Sequence, residues 1–188
     1  MTDLLDLNGA NPWQTESSRV VFDDGRLRLF QDRVIQPDGQ TGAYAYLEVA
    51  MPIVGVVPID EDSNVYLVRQ WRYPWGHNSW EIPSGGADDG EEPLAAARRE
   101  LAEEASLAAL EWSPLGSGYS SASIRSHWHF FLARGLQHVT THQRDASERD
   151  LIARRVPLHA AIEAALDGRI AHGMSVVGLL RAARRLGI

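Results

Sequence analysis

The chain has 188 residues, a formal net charge of −7 and no cysteine. This length fits one domain with a small appendage and is sufficient to bury a hydrophobic core. The acidic charge excludes the basic footprint of a duplex-DNA-binding domain. The absence of cysteine excludes disulfides and thiolate metal sites and fits a reducing cytoplasm. No apolar run approaches the roughly 20 residues of a membrane helix, and the N-terminus does not resemble a secretory signal. We therefore expect a cytoplasmic protein without nucleic-acid or membrane partners.

The first half of the chain has the pattern of β-strands separated by turns. Residues 1–18 have no clear period and are predicted to form an arm. Clusters of Asp, Pro and Gly at 23–25 and 37–39 mark tight turns. Strands are predicted at 19–22, 27–35, 44–49, 53–59, 65–69 and 80–83.

The second half mixes helices and strands. Pro93 suits a first helical turn, and Leu94, Ala97, Leu101 and Ala105 recur at helical spacing, so a helix is predicted over 93–105. Further helices are predicted at 158–166 and 174–186. Strands are predicted at 112–115, 127–133 and 151–156, with a Ser/Gly-rich loop at 116–125 and a polar loop at 137–150. This order of elements predicts α/β layering.

Three carboxylates cluster on the helix predicted at 93–105. At 100° per residue, Glu100, Glu103 and Glu104 occupy an arc of about 100° beside the apolar packing stripe. Like charges at this spacing repel one another, and a hard divalent cation relieves the repulsion. Ligands that are all oxygen indicate Mg²⁺ or Mn²⁺. A solvated acidic helix face is the alternative interpretation of these glutamates taken alone.

The region around this helix carries a longer pattern. It resembles the Nudix box, G-x5-E-x7-R-E-U-x-E-E-x-G-U, in which U is aliphatic. The matching positions are Gly85, Glu91, Arg99, Glu100, Leu101, Glu103, Glu104 and Leu107. Ser106 stands where the pattern has its last glycine. That glycine ends the helix with a positive φ, so serine there is expected to cost on the order of 1 kcal/mol.

The resemblance implies a fold, a reaction and a metal site. The Nudix fold is a mixed β-sheet sandwiched between helices, here expected with an N-terminal antiparallel β extension. The family hydrolyses nucleoside diphosphates linked to another group. Glu100, Glu103 and Glu104 are then expected to bind Mg²⁺, with Mn²⁺ as a substitute, and Glu103 and Glu104 to serve catalysis. A main-chain carbonyl at or near Gly85 completes this set. Glu91 and Arg99 are expected to brace the loop and helix by ion pairing.

Two further segments, 68–74 and 80–86, resemble the ADP-ribose pyrophosphatase branch, which includes GDP-mannose and other nucleotide-sugar hydrolases. This resemblance implies that Arg72, with Arg69 as a further candidate, contacts substrate phosphate. A guanidinium fork suits a diphosphate, although surface charge at a strand end is the alternative. The branch also implies a homodimer, with residues 1–49 as an arm and β subdomain that forms it and 50–188 as the catalytic domain.

The polar loop at 137–150 contains Glu148, which matches a functional glutamate of the branch. We expect Glu148 to activate water, because carboxylates neutralised by metal are poor general bases. Ordinary loop charge is the alternative. A different loop departs from the branch: residues 120–123 are Ser-Ser-Ala-Ser, where members that prefer ADP-ribose often have a Ser-Pro-Gly-like sequence.

The sequence therefore predicts metal-dependent hydrolysis of the pyrophosphate bond in a nucleoside diphosphate sugar that is ADP-ribose-like or GDP-mannose-like. The products would be a nucleoside monophosphate and a sugar phosphate. The alternative is a Nudix-type sensor module that binds nucleotides without cleaving them. A zinc site formed by His77, His127 and His129 is a further, less favoured reading, because strand alternation alone places His127 and His129 on one face.

Overall fold

The computed structural model describes Leu7, residues 9–140 and residues 150–188. The backbone divides into two compact units, Met1–Ala50 with Ser123–Arg125 and Met51–Ala122 with Ser126–Ile188. The expected boundary after residue 49 is close to this division. The functions assigned to the two parts remain predictions.

The first unit contains three antiparallel strands, β1 (Gln14–Asp23), β2 (Leu27–Ile35) and β3 (Thr41–Val49). Strand β2 pairs with β1 on one side and with β3 on the other. The β1 strand begins at Gln14, so the sequence prediction of an arm through residue 18 was too long. Every residue of β1 is exposed. Its first half has no alternation of apolar and polar residues, which is the pattern that marks a half-buried strand.

The second unit contains the remaining strands. They are β4 (Ile53–Pro58), β5 (Asn64–Arg72), β6 (His77–Glu81), β7 (Ser84–Gly86), β8 (Leu107–Ser121), β9 (Ile124–His138, from Ser126 onward) and β10 (Ile152–Pro157). β4 pairs antiparallel with β7 and parallel with β9, and β8 pairs with β9. β5 lies between β10 and β6 in a separate antiparallel sheet. The predicted mixed α/β fold is confirmed.

Three α-helices, α1 (Pro93–Ala105), α2 (Leu158–Leu166) and α3 (Gly173–Leu186), enclose the mixed sheet of the second unit. Neighbouring residues of β4 face opposite sides of the sheet. Val56 packs in a core with Leu101 of α1, whereas Val57 packs in a core with Leu158 of α2 and Leu179 of α3. The sheet therefore has α1 on one face and α2 and α3 on the other. None of the helices in the described ranges has the length and apolar character needed to cross a membrane.

The prediction of a loop over residues 116–125 was wrong. β8 and β9 each have 15 residues and are joined through residues 122 and 123. Glycine and serine weaken the strand signal, but tertiary contacts stabilise this segment. Arg181 of α3 donates hydrogen bonds to the carbonyls of Leu115 and Ser117. A Cβ atom on Gly116, where φ is +94°, would lie 3.1 Å from the Arg181 guanidinium.

Helix α1 ends at Ser106, which has φ 55° and ψ 40°. Its backbone N–H points to the carbonyls of Ala102 and Leu101. This is the left-handed conformation expected for the last glycine position of the box. A side chain with Cβ is strained there.

Replacing Ser106 with glycine should stabilise the protein. We expect Ser106→Gly to raise the unfolding free energy by about 1 kcal/mol and Tm by roughly 2–4 °C, as measured by thermal denaturation. Ser18→Gly in the exposed strand β1 is the control. Its φ is not positive, so glycine there should lower Tm or leave it unchanged. Equal responses of both variants would contradict the strain at Ser106.

Candidate active site

Helix α1 presents two buried carboxylates next to β7. Glu100 is 6% exposed and Glu104 is 2% exposed. A buried carboxylate is stable only with hydrogen-bond or charge partners. Glu104 Oε2 accepts the backbone N–H of Ser84 at 2.7 Å, which joins the helix to the first residue of β7.

Arg99 is the main partner of the remaining carboxylates. Its Nη1 atom donates to Glu100 Oε1 at 2.8 Å and to Glu103 Oε2 at 3.1 Å. Its Nη2 atom donates to the Gly86 carbonyl at 2.8 Å and to Glu91 Oε2 at 2.9 Å. The hydrogen bond to Glu91, followed by those to the other glutamates, raises the pKa of Arg99. The same hydrogen bond lowers the pKa of Glu91.

Glycine at position 85 allows β7 to contact the helix. A Cβ atom on Gly85 would lie well under 3.0 Å from the Glu100 carboxylate, closer than real Cβ atoms approach another atom. Gly85 pairs with Val54 of β4, so sheet pairing fixes its backbone. The carbonyl of Gly86 accepts a hydrogen bond from Arg99 Nη2.

The donor atoms gathered here suit a hard cation. They are carboxylate oxygens on one helix beside the backbone of a glycine strand, and Mg²⁺ and Mn²⁺ prefer oxygen ligands. The side chains are not arranged as a finished metal site: among residues 9–140 and 150–188, no three His, Asp or Glu groups are placed to hold an ion together. Glu100 and Glu103 bind Arg99 instead. The residues suit a divalent cation by the chemistry of their oxygen atoms, and the carboxylates would have to turn from Arg99 to surround one.

The two arginines predicted to contact substrate differ in their surroundings. Arg72, at the end of β5, donates from Nε to Glu81 Oε1 at 2.8 Å and from Nη2 to Glu81 Oε2. Its side chain is 32% exposed. Arg69 lies three residues earlier on the same strand, and strand alternation places the two on opposite faces. The Nε atom of Arg69 is buried without a hydrogen-bond partner in the described ranges.

A cluster of hydrogen-bonding side chains surrounds Glu81 and was not predicted from the sequence. Glu81 itself is 1% exposed. Its Oε2 atom lies 3.0 Å from Nδ1 of His172, the residue preceding α3. Burial would raise the pKa of Glu81, but the hydrogen bond from Arg72 and the nearby charges hold it below the usual value. The sequence shows Glu81 only as a carboxylate in a segment rich in polar residues. No pattern in the sequence indicates that it contacts His172.

The other histidines form no zinc site in the described residues. The His127 and His129 rings lie 4.4 Å apart on β9, and Tyr119 stacks on His127. His77 instead contacts the Asn78 carbonyl through Nδ1. Glu148 lies outside the described residues, so its predicted role stays a prediction.

Known proteins match both the sequence and the fold. The NUDIX domain family matches residues 50–174. The ADP-ribose pyrophosphatase of Mycobacterium tuberculosis is 30% identical over 174 residues, covering 89% of this chain and 82% of that protein. The CMP-5'-(N-acetyl-N-hydroxy-3-aminopropyl)phosphonate hydrolase of Streptomyces rubellomurinus is 28% identical over 179 residues, covering 89% and 81%. A crystal structure of an ADP compounds hydrolase superimposes with a TM-score of 0.83 at 20% identity, covering 96% of this chain and 97% of that one.

Adding a methyl group at Gly85 should disrupt the junction between β7 and α1. We expect Gly85→Ala to lower the unfolding free energy by about 1–3 kcal/mol, the usual cost of overpacking, and to lower Tm measurably. Gly118→Ala in β8 is the matched control, because its new Cβ would meet its nearest neighbour at 3.8 Å, an ordinary contact. A Gly85→Ala protein as stable as Gly118→Ala would show that Glu100 can move away without cost.

Proposed function

We propose a nucleoside diphosphate sugar as the substrate, starting from two findings. This chain belongs to the Nudix family, and it is a hydrolase similar to ADP-ribose pyrophosphatases. Cleavage of the P–O–P bridge would yield a nucleoside monophosphate and a sugar phosphate. The observation that carries this proposal is the group of carboxylates on α1, held against β7 by Arg99 and Ser84.

The α1 carboxylates are the proposed ligands for Mg²⁺, which Mn²⁺ could replace. Glu100, Glu103 and Glu104 would hold the cation with the carbonyl of Gly85. When bound, the cation would neutralise charge on the diphosphate and its leaving group. Arg99 and Glu91 would keep the loop and helix in place through the ion pair between them.

Arg72 is the proposed contact to the diphosphate. The bidentate interaction with Glu81 fixes the plane of its guanidinium group, and part of the side chain is exposed. A fixed planar group of donors binds phosphate oxygens with defined geometry. Arg69 remains a second candidate, but its position on the opposite face of β5 gives it less support.

Hydrolysis also requires a base to activate water. We propose Glu148 for this step, with Glu103 and Glu104 as the carboxylates closest to the reaction. The base accepts a proton from water as the water oxygen attacks one phosphorus atom, and the P–O bond to the bridging oxygen breaks. The bridging oxygen leaves with the other phosphate group.

A substrate panel tests this function. ADP-ribose, ADP-glucose and GDP-mannose are incubated with the protein and Mg²⁺, and phosphate released by alkaline phosphatase is measured, because the enzyme's monophosphate products are open to the phosphatase. Phosphate release from at least one compound, and its loss with EDTA, is the expected result. Binding of these compounds without cleavage would instead support the sensor alternative.

We propose two further properties, an oligomeric state and a location. A homodimer formed through the first unit is supported by the exposed apolar residues Val20, Val21 and Phe22 on β1, which a second copy could cover. Sedimentation analysis tests it, and a monomer at micromolar concentration would contradict it. A cytoplasmic location is supported by the cysteine-free sequence.

Glu104→Gln should keep the fold and lose most of the turnover. The amide can still accept the Ser84 N–H through its oxygen, but it removes the negative charge that a cation requires. We expect at least a tenfold loss of kcat at saturating Mg²⁺ with a Tm near that of wild type. Glu111→Gln, an exposed position on β8, is the matched control and should have normal turnover. Turnover of Glu104→Gln within threefold of wild type would refute the metal role.

Glu148→Gln should lower kcat by at least tenfold, because a general base typically contributes 10²–10⁴-fold. The sequence predicts a polar loop over 137–150, and a substitution in such a loop usually changes stability by no more than about 0.5 kcal/mol, so Tm should not change. Steady-state kinetics of Glu148→Gln and Asp145→Asn distinguish the candidates. Normal kcat in Glu148→Gln together with inactivity in Asp145→Asn would move the base to Asp145.

A further inference from the structure

The Glu81 carboxylate receives donors from separate parts of the second unit. Arg72 of β5 binds both of its oxygens. His172, which precedes α3, reaches Oε2 through Nδ1 at 3.0 Å. Ser175, in the first turn of α3, accepts the backbone N–H of Ile82 at 2.9 Å, so the start of α3 is anchored beside Glu81.

These contacts favour a proton on the Nδ1 atom of His172. A carboxylate only accepts hydrogen bonds, so an Nδ1 atom 3.0 Å from Glu81 Oε2 is stable there when it carries hydrogen. The other contact of Nδ1 is the Ser175 hydroxyl at 2.8 Å, and a hydroxyl can accept as well as donate. An Nδ1–H group is compatible with both contacts, since it can donate to the Ser175 hydroxyl while its positive end lies beside the Glu81 carboxylate.

The surroundings of the His172 ring favour its neutral form. Burial lowers its pKa, the Glu81 charge opposes that effect, and the Arg72 charge adds to it. Glu81 and Arg72 are the charged groups that face the ring. A neutral Nδ1–H ring adds a donor to Glu81 without adding a positive charge beside Arg72.

We propose that His172 is a positioning residue for Arg72: its Nδ1–H holds the Glu81 carboxylate in the orientation that fixes the Arg72 guanidinium for substrate diphosphate. This inference rests on the proposed function of Arg72. Arg72 and the Ser79 side chain bind Glu81 from the neighbouring strands β5 and β6. His172 adds a contact from the segment that leads into α3, which restricts rotation of the carboxylate together with Arg72. The guanidinium therefore loses less conformational freedom when the substrate binds.

The two side-chain amides distinguish this role from simple packing. The Asn amide nitrogen takes the place of His Nδ1, whereas the longer Gln amide takes the place of Nε2. With ADP-ribose and Mg²⁺, we expect His172→Ala and His172→Gln to raise KM at least fivefold with kcat within twofold of wild type. His172→Asn should restore KM to within twofold. His159→Asn, an exposed position on α2, is the control and should not change KM.

A double-mutant cycle tests whether His172 acts through Arg72. Arg72→Lys keeps the charge and loses the planar fork. In that background, His172→Ala should raise KM less than twofold further. The proposal would be overturned if the KM increases of the two single variants multiplied in the double variant. Equal KM values for His172→Asn and His172→Gln would also overturn it.

A readout without substrate separates this inference from the proposed function. Ring ¹⁵N chemical shifts, assigned with His172→Asn, should show protonation at Nδ1 at pH 7.5 and a titration midpoint below that of an exposed histidine. Protonation at Nε2 would overturn the proposal, whether or not ADP-ribose is hydrolysed. If the Nδ1–H tautomer is found and no compound of the panel is cleaved, the proposed function fails while the contact of His172 with Glu81 stands. The role of His172 toward substrate is then overturned.

Discussion

The interaction on which the site depends is the binding of Arg99 to acidic groups from two parts of the chain. Glu91 lies in the loop before α1, and Glu100 and Glu103 lie on the helix. Without a cation between them, like charges at this spacing would repel one another and the buried carboxylate would be costly. The guanidinium satisfies several acceptors at once because its donors form a planar fork.

The same arginine fixes the helix relative to the sheet. Its bond to the Gly86 carbonyl joins α1 to β7, and the Glu104 bond to the Ser84 N–H joins them a second time. β7 pairs in turn with β4, whose residues enter the cores on both faces of the sheet. Displacement of α1 would therefore break polar bonds and apolar packing together, which explains how this largely buried acidic cluster can have a defined geometry.

Local patterns in the sequence predicted much of the fold. The bounds of α1 and α2 were predicted correctly because apolar spacing and Pro93 act within one helix. Parts of β8 and β9 were predicted, but the strand residues within 116–125 were missed, because contacts such as those from Arg181 are made by a residue distant in sequence. The clustering of the α1 carboxylates was predictable because it depends only on the spacing of residues within one helix. The contact between Glu81 and His172 was not, since it depends on where α3 begins relative to β6.

Two clusters built from similar residues differ in their balance of charge, and this difference separates their roles. Around Arg99, the carboxylates of Glu91, Glu100 and Glu103 face one guanidinium, which leaves formal negative charge for a further cation to neutralise. Around Glu81, one carboxylate faces the guanidinium of Arg72 and a histidine whose pKa is lowered by burial, so that cluster is formally neutral. The first cluster is thus suited to hold a metal ion. The second requires no cation and is suited to hold a side chain in a fixed orientation.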